Sequence, residues 1–260
     1  MLLSIITITY NNPVELKKTL DSIPGFDFIE SVVVNGGDSS EASDYLKSYK
    51  RIVINENDAG IADAFNKGIR SSSGELIMFL NSGDVLINHN YLKHVIETFK
   101  DNPELSFVHS NILYSDLIAG DLIVKPSSTN LGRGMKYLHP SMIVKKEVFI
   151  EVGFFNLDYK IAMDFDFIVR LEKKGLKGLY IDGDPVVKMD GEGRSHTEEF
   201  SAIRECMRSL KENKYLTFRN TLGLTTRLFL FAGRKLLLIS GGKKILSKLK
   251  KRKYESLTIL

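Results

Sequence analysis

Four apolar runs, each ending abruptly in polar turn residues, constrain this chain more than any other feature. "LSIITITY" stops at Asn11-Asn12, "VVVN" at Gly36-Gly37-Asp38, "RIVINE" at Asn57-Asp58, and "IMFLNSGDVL" at Asn81-Ser82-Gly83-Asp84. The runs are too short and too rich in β-branched residues for buried helices, and helical periods separate them. A helix is expected from Pro13 to about Ile23 with Leu16 and Leu20 on one face, others around 40–49 and 60–72, and another over about 90–99. Strands apolar on both faces and separated by helices predict an α/β fold, a mostly parallel central sheet covered on both sides. In such sheets ligands gather at the carboxyl ends of the strands.

Turn residues at strand ends are common for purely local reasons. Four such ends together, with acids repeated among them, point to a shared site. Asp84 is the sharpest candidate. It closes a buried strand beside two residues with little side chain, so a ligand can approach the backbone there. A carboxylate in that setting suits Mg2+ or Mn2+, hard ions that share their coordination with substrate phosphates. The plainer alternative for Asp84 is a helix N-cap. No GxxxxGK[ST] loop is present and no GxGxxG follows the first strand, so any nucleotide phosphate needs a cation instead.

Further along, "SFVHSNILYSD" and "DLIVKP" are expected strands, "LHPSMIVKKEVFIEVGFFN" a strand, short helix and turn, and "LKGLYIDGDPVVKMD" a final strand pair. "AMDFDFIVRLEKKG" predicts a helix with Phe167, Ile168 and Leu171 inward and Gly175 at its C-terminus. Its first turn carries Asp164 and Asp166. Two acids there are favoured by the helix dipole alone, and their spacing turns them to different sides, so at most one faces a given site. A carboxylate facing a cleft can act as general base on a hydroxyl nucleophile.

Charge divides the 260-residue chain. Between Lys214 and Tyr254 there are 12 Lys/Arg and no Asp or Glu; the other 24 of the 36 Lys/Arg face 32 Asp/Glu. The body is acidic and the tail basic. The tail mixes Leu, Ile and Phe with its cations but has no stretch near the ~20 apolar residues of a membrane span, so an amphipathic helix lying on an anionic membrane is expected. A solvated end or an interhelix surface is the alternative. Nucleic acid is disfavoured, because aromatics are not interleaved as stacking platforms. The single cysteine, Cys206, excludes an internal disulfide and a CxxC metal site. With "MLLSIITITYNN" reading as a first strand and not a signal peptide, the expected location is the cytoplasmic side, peripheral to the inner face of the cell membrane.

Taken in order, "SIITITYNN", "VVVNGGDSS", "NDAGIADAFNKGI", "SSGELIMFLNSGD", "HPSMIVKKEVFIEVGFFN" and "MDFDFIVRL" resemble the inverting glycosyltransferases of family 2, over about residues 4–171. The resemblance implies the GT-A fold and a nucleotide-sugar donor, UDP-linked by the family's habit. Thr9 and Tyr10 then lie where the family contacts the nucleotide, and Asn35 where an acid commonly reads the base. Asp58 and Asp63 flank a loop near base and ribose, and Lys67 lies within reach of a phosphate. Asp84 matches the last, metal-binding acid of the family's DXD motif, in which Ser82 replaces the first acid and Gly83 stands between. Mn2+ or Mg2+ is the implied cofactor. Asp164 matches the catalytic base, with Met163 in place of the usual Glu. His139 is similar to a position near the acceptor or donor phosphates. "GEGRS", with Arg194 and then His196, resembles a mobile loop over the diphosphate.

The domains expected are a GT-A nucleotide-sugar transferase domain over 1–212 and a basic amphipathic helical tail over 213–260. The implied activity is transfer of a hexose to a hydroxyl of a lipid-diphosphate-linked saccharide, such as an undecaprenyl-diphosphate-linked acceptor, in bacterial surface polysaccharide or O-antigen synthesis. Two alternatives stay open: a catalytically weak nucleotide-sugar binding module, given the altered positions Asn35, Ser82 and Met163, and a sugar nucleotidyltransferase, whose Gly-rich basic loop "YNNPVE" lacks.

Overall fold

A computed structural model describes residues 1–37, 46–47, 52–126, 130–190 and 198–258. The expected helix around 40–49 lies almost wholly outside them. The first strand, β1 (Leu3–Thr9), leads into α1 (Pro13–Asp21), whose N-cap Asn12 accepts the Glu15 N–H at 3.2 Å ahead of Pro13. Then follow β2 (Ile29–Asn35), β3 (Ile52–Asn55), α2 (Ile61–Ser71) and β4 (Leu76–Phe79). A two-residue β5 (Val85–Leu86) precedes α3 (His89–Asp101), capped by Asn88, which accepts the Tyr91 N–H at 3.3 Å. Asp84 is therefore not the cap of that helix.

Three strands come next, β6 (Phe107–His109), β7 (Ile112–Asp116) and β8 (Gly120–Val124). They are followed by β9 (Ile143–Lys145), α4 (Lys146–Glu151) and α5 (Met163–Lys174), which Gly175 closes in the left-handed conformation at φ 68°. Strands β10 (Gly178–Tyr180) and β11 (Val187–Asp190) precede three helices, α6 (Glu199–Glu212), α7 (Phe218–Ile239) and α8 (Lys243–Thr258).

The central sheet runs β10-β6-β9-β4-β1-β2-β3, with β9 antiparallel to both neighbours and the other pairs parallel. This is the expected mostly parallel sheet. Alternation along the strands feeds two cores. Ile6, Val32, Ile77 and Phe79 pack with Phe65 of α2 and Phe165 and Ile168 of α5. Leu3, Ile5, Val33, Leu76 and Met78 pack with Leu16 and Leu20 of α1 and Leu92 and Val95 of α3.

One expectation needs correction. The last two strands are not a pair: β10 extends the central sheet beside β6, whereas β11 sits in a second sheet of order β5-β11-β7-β8. Local sequence shows that a segment is extended, not which distant edge it joins.

The C-terminal helices begin inside the fold. Asn130 Nδ2 donates to the Arg219 carbonyl at 3.0 Å, and an ideal Cβ on Gly223 would lie 2.8 Å from the carbonyl carbon of Gly132, so α7 approaches 131–133 backbone to backbone. Leu224 is a member of the core. The expected division at 212/213 thus falls between two packed helices.

Candidate active site

The parallel strands β1, β2, β3 and β4 all end on one edge, and their loops meet there. Asn35, fully buried at the end of β2, donates through Nδ2 to Asn55 Oδ1 at 2.7 Å and to the Gly37 carbonyl at 3.2 Å, and accepts the Gly37 N–H at 3.3 Å. Its amide ties β2 to β3. An ideal Cβ on Gly36 would stand 1.5 Å from Asp58 Oδ2 and one on Gly37 2.1 Å from Asn11 Oδ1. The two glycines let the Asp58 and Asn11 side chains lie against the loop after β2.

Thr9 and Ser82 also meet at this edge, Thr9 Oγ1 donating to Ser82 Oγ at 3.5 Å. Tyr10 stands 69% exposed beside them. Asp58 accepts the Gly60 N–H at 2.9 Å and Asp63 the Ala59 N–H at 3.1 Å. Lys67 bonds the Asn57 carbonyl at 2.7 Å and pairs with Glu56 at 3.2 Å and Asp63 at 3.3 Å. Burial opposes ionisation of Asp63, but the Ala59 N–H and Lys67 outweigh it and hold the carboxyl below its ordinary value. Lys67 is therefore anchored in the loop that precedes α2, and reaching a phosphate means exchanging these partners.

The "NSGD" turn is held from below by α1. Thr19 Oγ1 accepts the Gly83 N–H at 2.8 Å and donates to the Asn81 carbonyl at 3.1 Å, while Gly83 adopts φ 102°. Asp84, 6% exposed, accepts the Asn81 N–H through Oδ2 at 3.1 Å and returns its own N–H to the Asn81 carbonyl at 2.9 Å. Asn81 Oδ1 is buried without a hydrogen-bond partner. A buried amide oxygen left unpaired beside a carboxylate costs stability unless something fills it. Together they offer two hard oxygen donors, a set that fits Mg2+ or Mn2+ when a diphosphate and water complete the shell. Among the described residues no three His, Cys, Asp or Glu converge to hold an ion unaided.

Aromatic packing connects this edge to α5. Phe79, the last residue of β4, stacks on the His139 ring at 5.2 Å and meets Phe155 at 5.3 Å, which in turn meets Phe167 of α5 at 5.2 Å. His139 is buried and pushed down to about 4, so its ring is neutral at pH 7. Near phosphates it would act as a neutral ring and not as a cation.

In the first turn of α5 the two acids diverge as their spacing predicts. Asp166 is buried against Arg170 Nε at 2.9 Å, Ser209 Oγ at 2.8 Å and Asn213 Nδ2 at 3.0 Å. It is a structural group that joins α5 to α6. Asp164 accepts the Phe165 N–H at 2.7 Å, and burial pushes its carboxyl up to about 6, against the Phe165 N–H and the Arg227 guanidinium and with the help of Glu205. Glu205 itself caps the segment that enters α5, accepting the Ile161 and Ala162 N–H groups at 2.9 and 2.7 Å. A carboxylate that titrates near neutrality is matched to proton abstraction.

Of the residues expected at the site, Thr9, Asn35, Asp58, Ser82, Gly83 and Asp84 come together at the strand ends. Arg194 and His196 lie outside the described residues. Sequence reasoning passed over Asn81, Glu205 and Arg227. Asn81 was within the polar stop already singled out, and Arg227 has a signal in its spacing, three residues after core Leu224 and four before Phe231 on one helix face.

Comparison with known proteins follows the same lines. Residues 4–139 match the sequence profile of glycosyl transferase family 2. A PGL/p-HBAD biosynthesis glycosyltransferase of Mycobacterium bovis is 29% identical over 187 residues, covering 64% of this chain and 68% of the relative. Staphylococcus aureus TarS 1–349 in complex with UDP-GlcNAc superposes with a TM-score of 0.66 at 16% identity, covering 88% of this chain and 72% of that one. The chain spans only 43% of the longer TarS structure. A mannosyltransferase of Pyrobaculum calidifontis in complex with GDP-Man and Mn2+ superposes with a TM-score of 0.61 at 16% identity, covering 99% and 83%. At these identities the superpositions establish the GT-A fold.

Proposed function

Because the chain belongs to glycosyltransferase family 2, we propose that it moves a hexose from a nucleotide-sugar, preferentially a UDP-sugar, to a hydroxyl of a lipid-diphosphate-linked saccharide in bacterial surface polysaccharide synthesis. The observation that carries this reading is Asp164, a partly buried acid pushed up to about 6 at the start of α5, linked by aromatic packing to the strand end that bears Asp84. Asp164 takes the proton of the acceptor hydroxyl as its oxygen bonds the anomeric carbon. The bond from that carbon to the diphosphate breaks, and its electron pair leaves with the nucleoside diphosphate. Configuration inverts, so an α-linked donor gives a β-linked product. Asp84 and Asn81 are the groups that would hold Mn2+ or Mg2+, which when bound supplies charge stabilisation to the departing diphosphate. Thr9, Tyr10, Asp58 and Asp63 flank the nucleotide.

The acceptor's lipid fits a tail that lies on a membrane. On α7 the outward positions Phe218, Leu222, Phe229, Leu236 and Ile239 are exposed, Phe218 by 86% and Ile239 by 83%, and no acid interrupts the cations from Lys214 to Tyr254. No helix among the described residues is long and apolar enough to cross a membrane. Peripheral attachment to the cytoplasmic face through the outer side of α7 and the exposed Lys243, Lys244 and Lys248 of α8 agrees with that composition.

A thermal-shift screen of UDP- and GDP-sugars with and without Mn2+ identifies the donor, since ligands of the folded state raise the melting temperature. Release of nucleoside diphosphate from that donor then tests catalysis. The reduced DXD motif, with Asp84 as its sole acid, favours a weak binding module as the second reading. A protein that binds donor but releases no diphosphate with any lipid-linked acceptor is that module.

A further inference from the structure

Arg227 lies in the basic tail, yet the fold turns it inward. The contact between Gly132 and Gly223 and the burial of Leu224 fix the rotation of α7, so Arg227, one turn further on, points at the part of α6 whose Glu205 holds the segment that enters α5. Its Nη1 donates to Cys206 Sγ at 3.6 Å. Cys206 is buried and its thiol pushed up to about 11, so it stays a neutral acceptor. Among the described residues, the charged or titratable groups that act on Asp164 are thus Glu205 and Cys206 from α6 and Arg227 from α7. Glu205 is already committed to the N–H groups that enter α5, and among the described residues Arg227 is the cation set against it.

We propose that Arg227 is a positioning residue for the base: held over Cys206 by the register of α7, its guanidinium keeps the Asp164 carboxylate ionised and oriented toward the acceptor hydroxyl. This rests on Asp164 as the general base and adds a residue from a helix that the family match over 4–139 does not reach. The chemistry is simple. Burial and Glu205 both favour the protonated acid, which cannot accept a proton, and a nearby cation favours the form that can.

The test is the titration of Asp164 in the full chain, followed by carboxyl 13C NMR with aspartate labelling and assigned by difference from Asp164→Asn. Arg227→Gln and Arg227→Met remove the charge, and Arg227→Lys retains it. The titration midpoint is expected to move upward in both neutral variants and to stay near the wild-type position in Arg227→Lys. The acid limb of nucleoside diphosphate release should move with it, so that activity at pH 6 falls several-fold while activity at pH 8.5 approaches wild type. Either neutral variant that folds decides the matter: an unmoved midpoint, or an equal loss at every pH, overturns the proposal. If Asp164→Asn turns over normally, the base reading fails; if Asp164→Asn is inactive but the midpoint ignores Arg227, only the role of Arg227 fails.

Discussion

Asp164 and Asp166 stand two positions apart in one helical turn and carry opposite burdens: Asp166 is neutralised by Arg170 at 2.9 Å, whereas burial holds Asp164 near 6. The second condition costs stability. Below about pH 3.8 the Asp164 carboxyl is protonated in folded and unfolded chains alike. Between there and about 6 the unfolded chain releases the proton first, so stability falls as pH rises, and above 6 the full cost of roughly 2–3 kcal/mol is present. Asp164→Asn should therefore melt higher than wild type at pH 8 and equally at pH 3.5, while nucleoside diphosphate release falls by roughly 10²- to 10⁴-fold. Thermal melts at the two pH values check the first part; a gain of the same size at both would remove the burial argument.

Asp166→Ala should do the reverse. Arg170 also donates to the carbonyls of Val152, Gly153 and Phe154 at 2.6, 2.7 and 2.9 Å, so it stays in place when its carboxylate is lost. Breaking a buried pair from one side typically costs about 3–5 kcal/mol. Urea denaturation should show a loss of that order, with much smaller effects on turnover per folded molecule than Asp164→Asn. Full stability with lost activity would move Asp166 into the catalytic machinery.

The polar edge at the strand ends was readable because β-strand alternation and turn chemistry are local. Strands β1 to β4, their polar ends and Asp84 all follow from runs of a few residues, and so does the divergence of Asp164 from Asp166, which needs only helical spacing. What local patterns do not encode is which distant surfaces meet. Nothing in "TLGLTTRLFLF" says that Gly223 nests against Gly132 or that Arg227 faces Cys206, and nothing near Val187 says that β11 joins β5 and β7. The charge run of the tail masked this further, because 12 cations without an acid read as one outward-facing surface, although Arg227 meets Cys206 and Arg234 pairs with Glu199.

Asp84 and Asn81 predict a graded response to metal. In calorimetric titration with the donor found by thermal shift, Mn2+ should strengthen binding to the wild type. Asp84→Ala should abolish that gain, at least about tenfold in Kd or ~1.4 kcal/mol. Asn81→Ala, which removes one neutral oxygen, should reduce the gain less. An undiminished Mn2+ effect in Asp84→Ala would place the ion elsewhere.

Gly223 and Gly233 lie on the same helix and should respond oppositely to alanine. A Cβ at Gly223 meets the backbone of Gly132 and Arg133 at 2.8–3.0 Å, where no flexible side chain yields, so overpacking by about 1–3 kcal/mol is expected. A Cβ at Gly233 meets nothing within 4 Å, and replacing a helical glycine there should stabilise by roughly 0.5–1 kcal/mol. Denaturation midpoints, with proteolysis near 213–218 as a local readout, separate the two. Equal behaviour would mean that α7 is not held by the glycine contact.

The outer face of α7 gives the last prediction. Phe218, Leu222, Phe229, Leu236 and Ile239 recur at spacings that keep them on one side over the 22 residues of the helix, about 33 Å of exposed apolar stripe. Isolated exposed apolar residues need no explanation, but a contiguous stripe does. Phe229→Glu with Leu236→Glu puts two negative charges into the stripe without touching Leu224, Arg227 or Phe231 on the inner face. The wild-type chain should float with vesicles containing phosphatidylglycerol, less so with neutral phosphatidylcholine, and the double variant should stay at the bottom of the gradient with an unchanged melting temperature. Equal flotation of the two proteins would show that the stripe does not meet the lipid, and a wild-type chain that self-associates and ignores vesicles would assign the stripe to a second copy instead.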